Sequence, residues 1–271
     1  LAERFSHLPR NKATLIKGLL ERKRTRDQEQ AFVMEGARPI VELLRRNNPL
    51  LSLIVLSRGF LLRQPRDVLK SLLRSHAPVY ELEDALFERL SEVESTQGVL
   101  AIVQKPLWAE RAIFEQPRVF GLFGDQIQDP GNVGSLIRVA AALGVDALWL
   151  TPDSADVFNP KVVRATAGAV LTVPIFHCLD PELFLQHGCA LLAAETSASG
   201  SVPIQEIRRI PPRMVVAVGN ETRGLGKAII DIATLRFHIP VQKDVDSLNV
   251  AAAAAIAVFH LNGLPREPDP L

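Results

Sequence analysis

From Arg118 onward the chain alternates short β-branched runs with stretches of helical apolar periodicity. That alternation limits the possible folds more than any other feature. The strand-like runs are 119–123, 147–150, 190–194, 214–218 and 235–239. Helical patterns occupy 133–143, 160–167, 181–187, 227–232 and 248–261. Strands that alternate with helices imply an α/β fold with a mostly parallel sheet covered on both faces. Ligands of such sheets bind beyond the carboxyl ends of the strands. The loops after Phe123, Ala194, Val218 and Ile239 are therefore where chemistry is expected.

A smaller pattern precedes this one. Ile40, Val41, Leu43 and Leu44 form a helical face that stops at Asn47-Asn48-Pro49. Strands are expected at 51–56, 79–80 and 99–103, and helices at 68–73 and 85–90. This reads as a small αβ domain, separated by a linker at 106–117 that carries a short amphipathic piece. Residues 1–27 read as a basic arm, helical around 13–24.

Charge is unevenly spread. The formal net charge is +1, yet residues 1–26 carry eight basic and two acidic side chains. Residues 1–77 hold sixteen basic and seven acidic ones, and 78–98 hold six acidic ones against Arg89. A cationic front third suggests contact with a polyanion, while a solvated helix face accounts for the same charges. Two cysteines, Cys178 and Cys189, are too few for a disulfide framework or a four-cysteine zinc site. They fit a reducing compartment, and hence the cytoplasm. The longest purely apolar run, 250–259, is about half of what a bilayer-spanning helix needs, so no membrane partner is expected. The first residues are charged and lack the apolar core of a secretory signal.

Three loops carry unusual residues. After the first strand comes Asp129-Pro130-Gly131-Asn132, which is turn and cap chemistry. Asn132 is expected to cap the following helix. Arg138, six residues on, projects about 240° away around that helix and about two turns along it, so one substrate or a partner chain would have to bring the two together. An arginine inside the apolar run Leu136, Ile137, Val139, Ala140 is either a snorkelling surface residue or a functional one. After Val218 comes Gly219-Asn220-Glu221-Thr222-Arg223-Gly224-Leu225-Gly226-Lys227. Walker A spacing would need Gly and Ser or Thr where Glu221 and Ala228 stand, and the glycine spacing is also wrong for a dinucleotide fingerprint. Glu221 would repel phosphate and suits a cationic or hydroxyl-bearing ligand. After Ile239 comes a loop ending Asp246-Ser247-Leu248-Asn249, with Ser247 a good cap for an Ala-rich helix. Taken singly, each loop also reads as ordinary helix-capping structure.

Together and in this order the segments DPGNVGSLIRVAAALG from Asp129, VAVGNETRGLG from Val216 and IPVQKDVDSLNVAAAAA from Ile239 resemble the SpoU (TrmH-type) branch of the SPOUT RNA methyltransferases. FVMEGARPIVELL from Phe32 and TQGVLAIV from Thr96 more loosely resemble that family's small αβα RNA-binding domain. The resemblance implies S-adenosylmethionine-dependent methylation of a ribose 2′-hydroxyl in RNA, with ribosomal RNA favoured over transfer RNA by the two-domain layout. It implies a parallel-sheet SPOUT catalytic domain with a C-terminal trefoil knot at 116–265, an RNA-binding domain at 28–107 and the arm at 1–27. It further implies a homodimer with the site at the subunit contact, and RNA rather than DNA as partner. By matching positions, Arg138, Asn132, Glu221, Ser247 and Asn249 are the expected catalytic residues. Gly219, Ile239 and Leu248 are expected to hold the cofactor, with Thr196 a looser candidate. Arg138 is expected to grip a phosphate and polarise the 2′-oxygen, and Glu221 to orient the ribose or to act as base. No metal is implied. Many relatives carry a glycine between the positions of Pro240 and Ser247, where this chain has Gln242-Lys243-Asp244. A transfer RNA methyltransferase and a non-catalytic RNA-binding or ribosome-assembly protein are the competing readings.

Overall fold

The computed structural model describes residues 5–91, 96–196, 200–242, 244 and 247–267. It divides into two compact units. One comprises residues 1–107 with 158–168, and the other 108–157 with 169–271.

The first unit is built on a five-stranded sheet. In chain order it contains β1 (Ser6–His7), α1 (Arg10–Glu21), α2 (Lys23–Glu29), β2 (Ala31–Glu35), α3 (Ala37–Arg45) and β3 (Leu51–Ser57). There follow α4 (Arg58–Leu62), α5 (Arg66–Leu73), β4 (Val79–Leu82), α6 (Asp84–Leu90) and β5 (Val99–Gln104). The strand order is β1-β4-β3-β5-β2, parallel between β1, β4 and β3 and antiparallel on both sides of β5. Sequence periodicity finds β3, β4 and β5 but not β2. Phe32, Val33 and Met34 of β2 are all buried, so the run has no alternation to reveal it. Its outer flank is met by residues 158–168 of the same unit: Phe158 packs on Phe32 with centroids 4.9 Å apart, and the Lys105 ammonium lies 4.9 Å from the Phe158 ring centre.

The segment expected as a basic arm is part of this unit. α1 buries Ile16, Leu19 and Leu20 in a cluster with Val33, Val55, Phe87 and Leu100, and β1 pairs with β4. Arg26, counted above among the cationic residues, is 3% exposed. Its Nη1 donates to the Leu19 carbonyl at 2.8 Å and the Leu20 carbonyl at 3.1 Å, which closes the C-terminal end of α1.

The second unit opens with α7 (Glu110–Phe114), inside the stretch expected as linker. Ile113 and Phe114 are buried in its core, and Glu110 Oε1 accepts from the buried Trp149 Nε1 at 2.6 Å. A buried indole N–H needs such an acceptor, so α7 is bound to the fold and the unit starts before residue 116. Then come β6 (Val119–Gly124), α8 (Pro130–Ala142) and β7 (Ala147–Leu150). α9 (Pro160–Thr166) belongs to the first unit, although the sequence assigns it to the catalytic domain. The remainder is β8 (Ile175–His177), α10 (Glu182–Gln186), β9 (Ala190–Glu195), β10 (Val202–Pro203), β11 (Arg213–Val218), α11 (Lys227–Ile232), β12 (Leu235–His238) and α12 (Val250–Asn262).

Seven strands run in the order β10-β12-β9-β11-β6-β7-β8, and every pairing is parallel. This is the α/β parallel sheet expected from the alternation. The edge strands β8 and β10, three and two residues long, are too short to give a periodic signal. At the centre, Gly121 on β6 makes room for Trp149: a Cβ there would sit 2.7 Å from the indole. Among the described residues, no helix is long and apolar enough to cross a membrane. Both cysteines are buried, and burial pushes the Cys178 thiol up to about 11.

Replacing Arg26 by Ala is expected to lower unfolding free energy by about 2–3 kcal/mol, because two buried carbonyls lose a charged donor. The exposed Arg10 or Lys17 replaced by Ala should change it by less than about 0.5 kcal/mol. Urea unfolding of the three variants makes the comparison.

Candidate functional site

The central strands β6 and β11 place two loops side by side. Beyond their last paired residues the Asp125 N–H still donates to the Val218 carbonyl at 2.9 Å. The loop after β11 then folds back tightly. Asn220 and Gly224 exchange backbone hydrogen bonds of 3.0 and 2.9 Å, and Gly224 has φ +69°. Gly219 is required by this turn, since a Cβ there would lie 2.2 Å from the backbone of Gly224 and Leu225. The Asn220 side chain, 9% exposed, holds the turn from inside. Its Oδ1 accepts from Thr222 N at 3.0 Å and Arg223 N at 3.1 Å, and its Nδ2 donates to the Gln126 carbonyl at 2.9 Å.

The loop after β6 answers in kind. Asp125 Oδ2 accepts from Gly226 N at 2.9 Å. Burial pushes the Asp125 carboxyl above its usual range, against the pull of the Gly226 N–H and the Arg223 charge. Gln126 sits at φ +53°, a left-handed conformation uncommon for a residue with a side chain. Three bonds hold it there: N to Thr151 Oγ1 at 2.7 Å, its carbonyl from Asn220, and Oε1 from Arg223 Nη2 at 2.7 Å.

Asp129, rather than Asn132, caps α8. Its Oδ1 accepts from Asn132 N at 2.9 Å, and Pro130 follows in the first turn, where a missing N–H costs nothing. Asn132 is thereby inside the helix with its side chain free for other work. Its Nδ2 donates to Glu221 Oε1 at 2.6 Å, and its Oδ1 accepts from Asn249 Nδ2 at 2.8 Å. Asn249, rather than Ser247, caps α12: its Oδ1 accepts from Ala251 N at 3.0 Å and Ala252 N at 3.3 Å. The cap fixes which way the Asn249 amide points, that fixes Asn132, and the chain ends on the only pure acceptor, the Glu221 carboxylate.

A cavity of about 770 Å³ opens beside this chain, at the carboxyl ends of β9, β11 and β12. That is within the ordinary range of small-molecule sites. Thr196, Gly219, Ile239 and Leu248 all line it, together with Glu221 and Ser247. Ala194, Val218, Val250 and Ala253 add apolar wall, and Glu195, Arg223 and His238 add ionisable groups. Glu195 Oε2 is paired with Arg236 Nε at 2.7 Å, and His238 Nδ1 lies 2.9 Å from Ser201 Oγ. Small and apolar lining next to carboxylates suits a ligand with a flat heterocycle, hydroxyls and cationic groups.

Of the expected catalytic residues, Asn132, Glu221 and Asn249 are therefore joined directly, and Ser247 shares the cavity wall with Glu221. Arg138 is not among them. It stands on the exposed face of α8 and has no ion-pair partner among the described residues. Of the tripeptide where relatives carry a glycine, Lys243 lies outside the described residues, as do Val245 and Asp246. Sequence reasoning does not single out Asp125, Gln126, Asn220 or Arg223. Asn220 has a legible signal, an Asx turn before Gly224, whereas nothing local marks Gln126.

Residues 120–259 match the SpoU rRNA Methylase family, and residues 12–101 match the MRM3-like substrate binding domain. The chain is 31% identical over 250 residues to a 23S rRNA (guanosine(2553)-2′-O)-methyltransferase of Bacillus subtilis, covering 90% of this chain and 93% of that one. It is 28% identical to a 23S rRNA (uridine(2479)-2′-O)-methyltransferase of Streptomyces viridochromogenes, covering 88% and 83%. An AdoMet-bound rRNA methyltransferase from Sinorhizobium meliloti superposes with TM-score 0.78 at 25% identity, over 94% of this chain and 95% of that one.

The amide chain has a consequence for substitution at Asn249. Asn249→Ala should cost about 1 kcal/mol through loss of the cap. Asn249→Asp keeps an acceptor for Ala251 and Ala252 and should stay within about 0.5 kcal/mol of the parent, yet it has no N–H for Asn132. Denaturant unfolding reads the first difference. Side-chain amide NMR of Asn132 should show it displaced in both variants.

Proposed function

The chain belongs to the SpoU rRNA methylase family, and we propose that it transfers the methyl group of S-adenosylmethionine to a ribose 2′-hydroxyl of ribosomal RNA. The observation that carries this is the convergence of the three motif loops. Glu221, Asn132 and Asn249 form one hydrogen-bonded chain at the mouth of a cavity lined by Thr196, Gly219, Ile239 and Leu248. The cavity's volume, its apolar wall and its carboxylates fit the cofactor's adenine, hydroxyls and cationic groups. The two relatives named above modify a guanosine in one case and a uridine in the other, so what they share is the ribose and not the base.

When bound, S-adenosylmethionine supplies an electrophilic methyl on a good leaving group. The chain's own residues then have three tasks. Gly219, Ile239 and Leu248 hold the heterocycle, with Thr196 at the rim. Asn132, oriented by Asn249, and Ser247 align the 2′-hydroxyl toward the methyl, which is catalysis by proximity. Glu221 orients the ribose or accepts the hydroxyl proton as the C–O bond forms. A guanidinium stays protonated in proteins, so Arg138 serves as a cation that grips a phosphate and stabilises charge developing on the 2′-oxygen.

In this reading the second unit is the catalytic domain and carries a trefoil knot formed by the segments around Gly219 and Leu248. The first unit, which includes the basic residues of 1–27, holds the RNA, with Arg10, Lys17 and Arg24 exposed for phosphate contact. The protein acts as a homodimer in the cytoplasm. An apolar stripe on α12 supports the dimer: Ile256 is 42% and Phe259 73% exposed, on a face shared with the exposed Ala252. The placement of Asn132 and Arg138 on different sides of α8 supports it too. The free, buried cysteines suit a reducing compartment.

Labelled S-adenosylmethionine should give methyl transfer to ribosomal RNA from a strain lacking the gene, and not to its transfer RNA. Arg138→Ala should lower the rate by about 10²-fold or more with cofactor binding retained. Label on transfer RNA alone would replace the substrate, and a protein that binds RNA but no cofactor would sink the enzyme reading.

Phe259→Glu should shift the protein to monomer in analytical ultracentrifugation and remove activity with the first-unit fold intact. A monomeric parent with full activity would exclude the dimer.

A further inference from the structure

We propose that Arg223 reads the methionine carboxylate of S-adenosylmethionine and so decides which adenosyl sulfonium compounds the cavity accepts. The inference rests on the cofactor assignment above and adds a specificity-determining residue to it.

The argument begins with charge. The ionisable groups lining the cavity, among the described residues, are Glu195, Glu221, Arg223 and His238. The cofactor brings a sulfonium, an ammonium and a carboxylate. Glu195 and Glu221 suit the hydroxyls and cationic groups and repel the carboxylate. His238 is engaged with Ser201. Arg223 is left as the match for an anion.

Its setting is suited to that task. Arg223 is anchored by a neutral group: Nη2 donates to Gln126 Oε1 at 2.7 Å. An amide oxygen fixes the guanidinium without cancelling its charge, whereas a carboxylate anchor would. Four of its five N–H donors remain after that bond, in the planar fork that fits a carboxylate. Among the described residues Arg223 has no ion-pair partner. The nearby Asp125 carboxylate gives Oδ2 to the Gly226 N–H instead.

Both ends of the residue are held. The Arg223 N–H donates to Asn220 Oδ1 at 3.1 Å. Gln126 is itself kept in its left-handed conformation by Thr151 and Asn220. A cation positioned before the ligand arrives loses less freedom on binding.

Titration calorimetry on the full chain provides the test, with S-adenosylmethionine, S-adenosylhomocysteine and decarboxylated S-adenosylmethionine as probes. The last differs from the first only by the missing carboxylate. Arg223→Gln should weaken the first two by about tenfold or more and leave the third within about twofold. Arg223→Lys, which keeps the charge without the fork, should fall between. Gln126→Ala should show the same pattern at smaller size, because it releases the anchor alone. Equal losses on all three compounds, or unchanged binding of all three, would overturn the inference. So would intact cofactor binding with weakened RNA retention, which would assign Arg223 to a phosphate. A parent protein that binds none of the compounds would instead reject the cofactor assignment itself.

Discussion

Two side-chain amides tie together three loops that lie about ninety and thirty residues apart in sequence. Asn132 is the middle of this chain, and its freedom to serve there depends on Asp129 having taken over the helix cap. Asn249 does both jobs at once, closing α12 with its oxygen and directing Asn132 with its nitrogen. The loop that carries Glu221 has no such freedom. Gly219, Asn220 and Gly224 fold it so tightly that one added methyl group would collide with the backbone. A rigid acceptor loop and two interlocked asparagines explain how a site assembled from distant segments holds one geometry.

Much of the catalytic unit is legible in the sequence because its central strands are buried on both faces and its helices are periodic. The five long strands of the parallel sheet and the loops at their carboxyl ends follow from that pattern. Local cap rules went astray where two candidates compete within three residues. Asn132 and Ser247 are both good caps in isolation, but Asp129-Pro130 and Asn249 stand in positions where the helix geometry prefers them. The choice depends on tertiary contacts, since Asn132 has partners on other loops that no window around it contains.

The amino-terminal region misleads in a different way. Counting charges treats every arginine as available to a partner, yet Arg26 is spent on the end of α1 and Lys23 on Asp27 at 2.9 Å. The same helix carries Ile16, Leu19 and Leu20 at the spacing of a buried face, which ties the supposed arm to the first sheet. α7 repeats the lesson. Its single turn is too short for periodicity, and only the buried Trp149 indole, three elements later in the chain, reveals why Glu110 must be there. Residues 158–168 are legible as a helix but not as part of the first unit, because they leave their sequence neighbours for another core.

The cap on α12 has an electrical side. Aligned peptide dipoles leave the start of a helix with partial positive charge, and here the Asn249 side chain closes that end. The Ala251 and Ala252 amides polarise Asn249, Asn249 polarises Asn132, and Asn132 presents an N–H to Glu221. Hydrogen bonds in series strengthen one another. The thirteen-residue final helix thus behaves as a distant electrode, wired through two neutral side chains to the carboxylate at the mouth of the cavity. Its field arrives there without any positive side chain having to occupy space that the ligand needs.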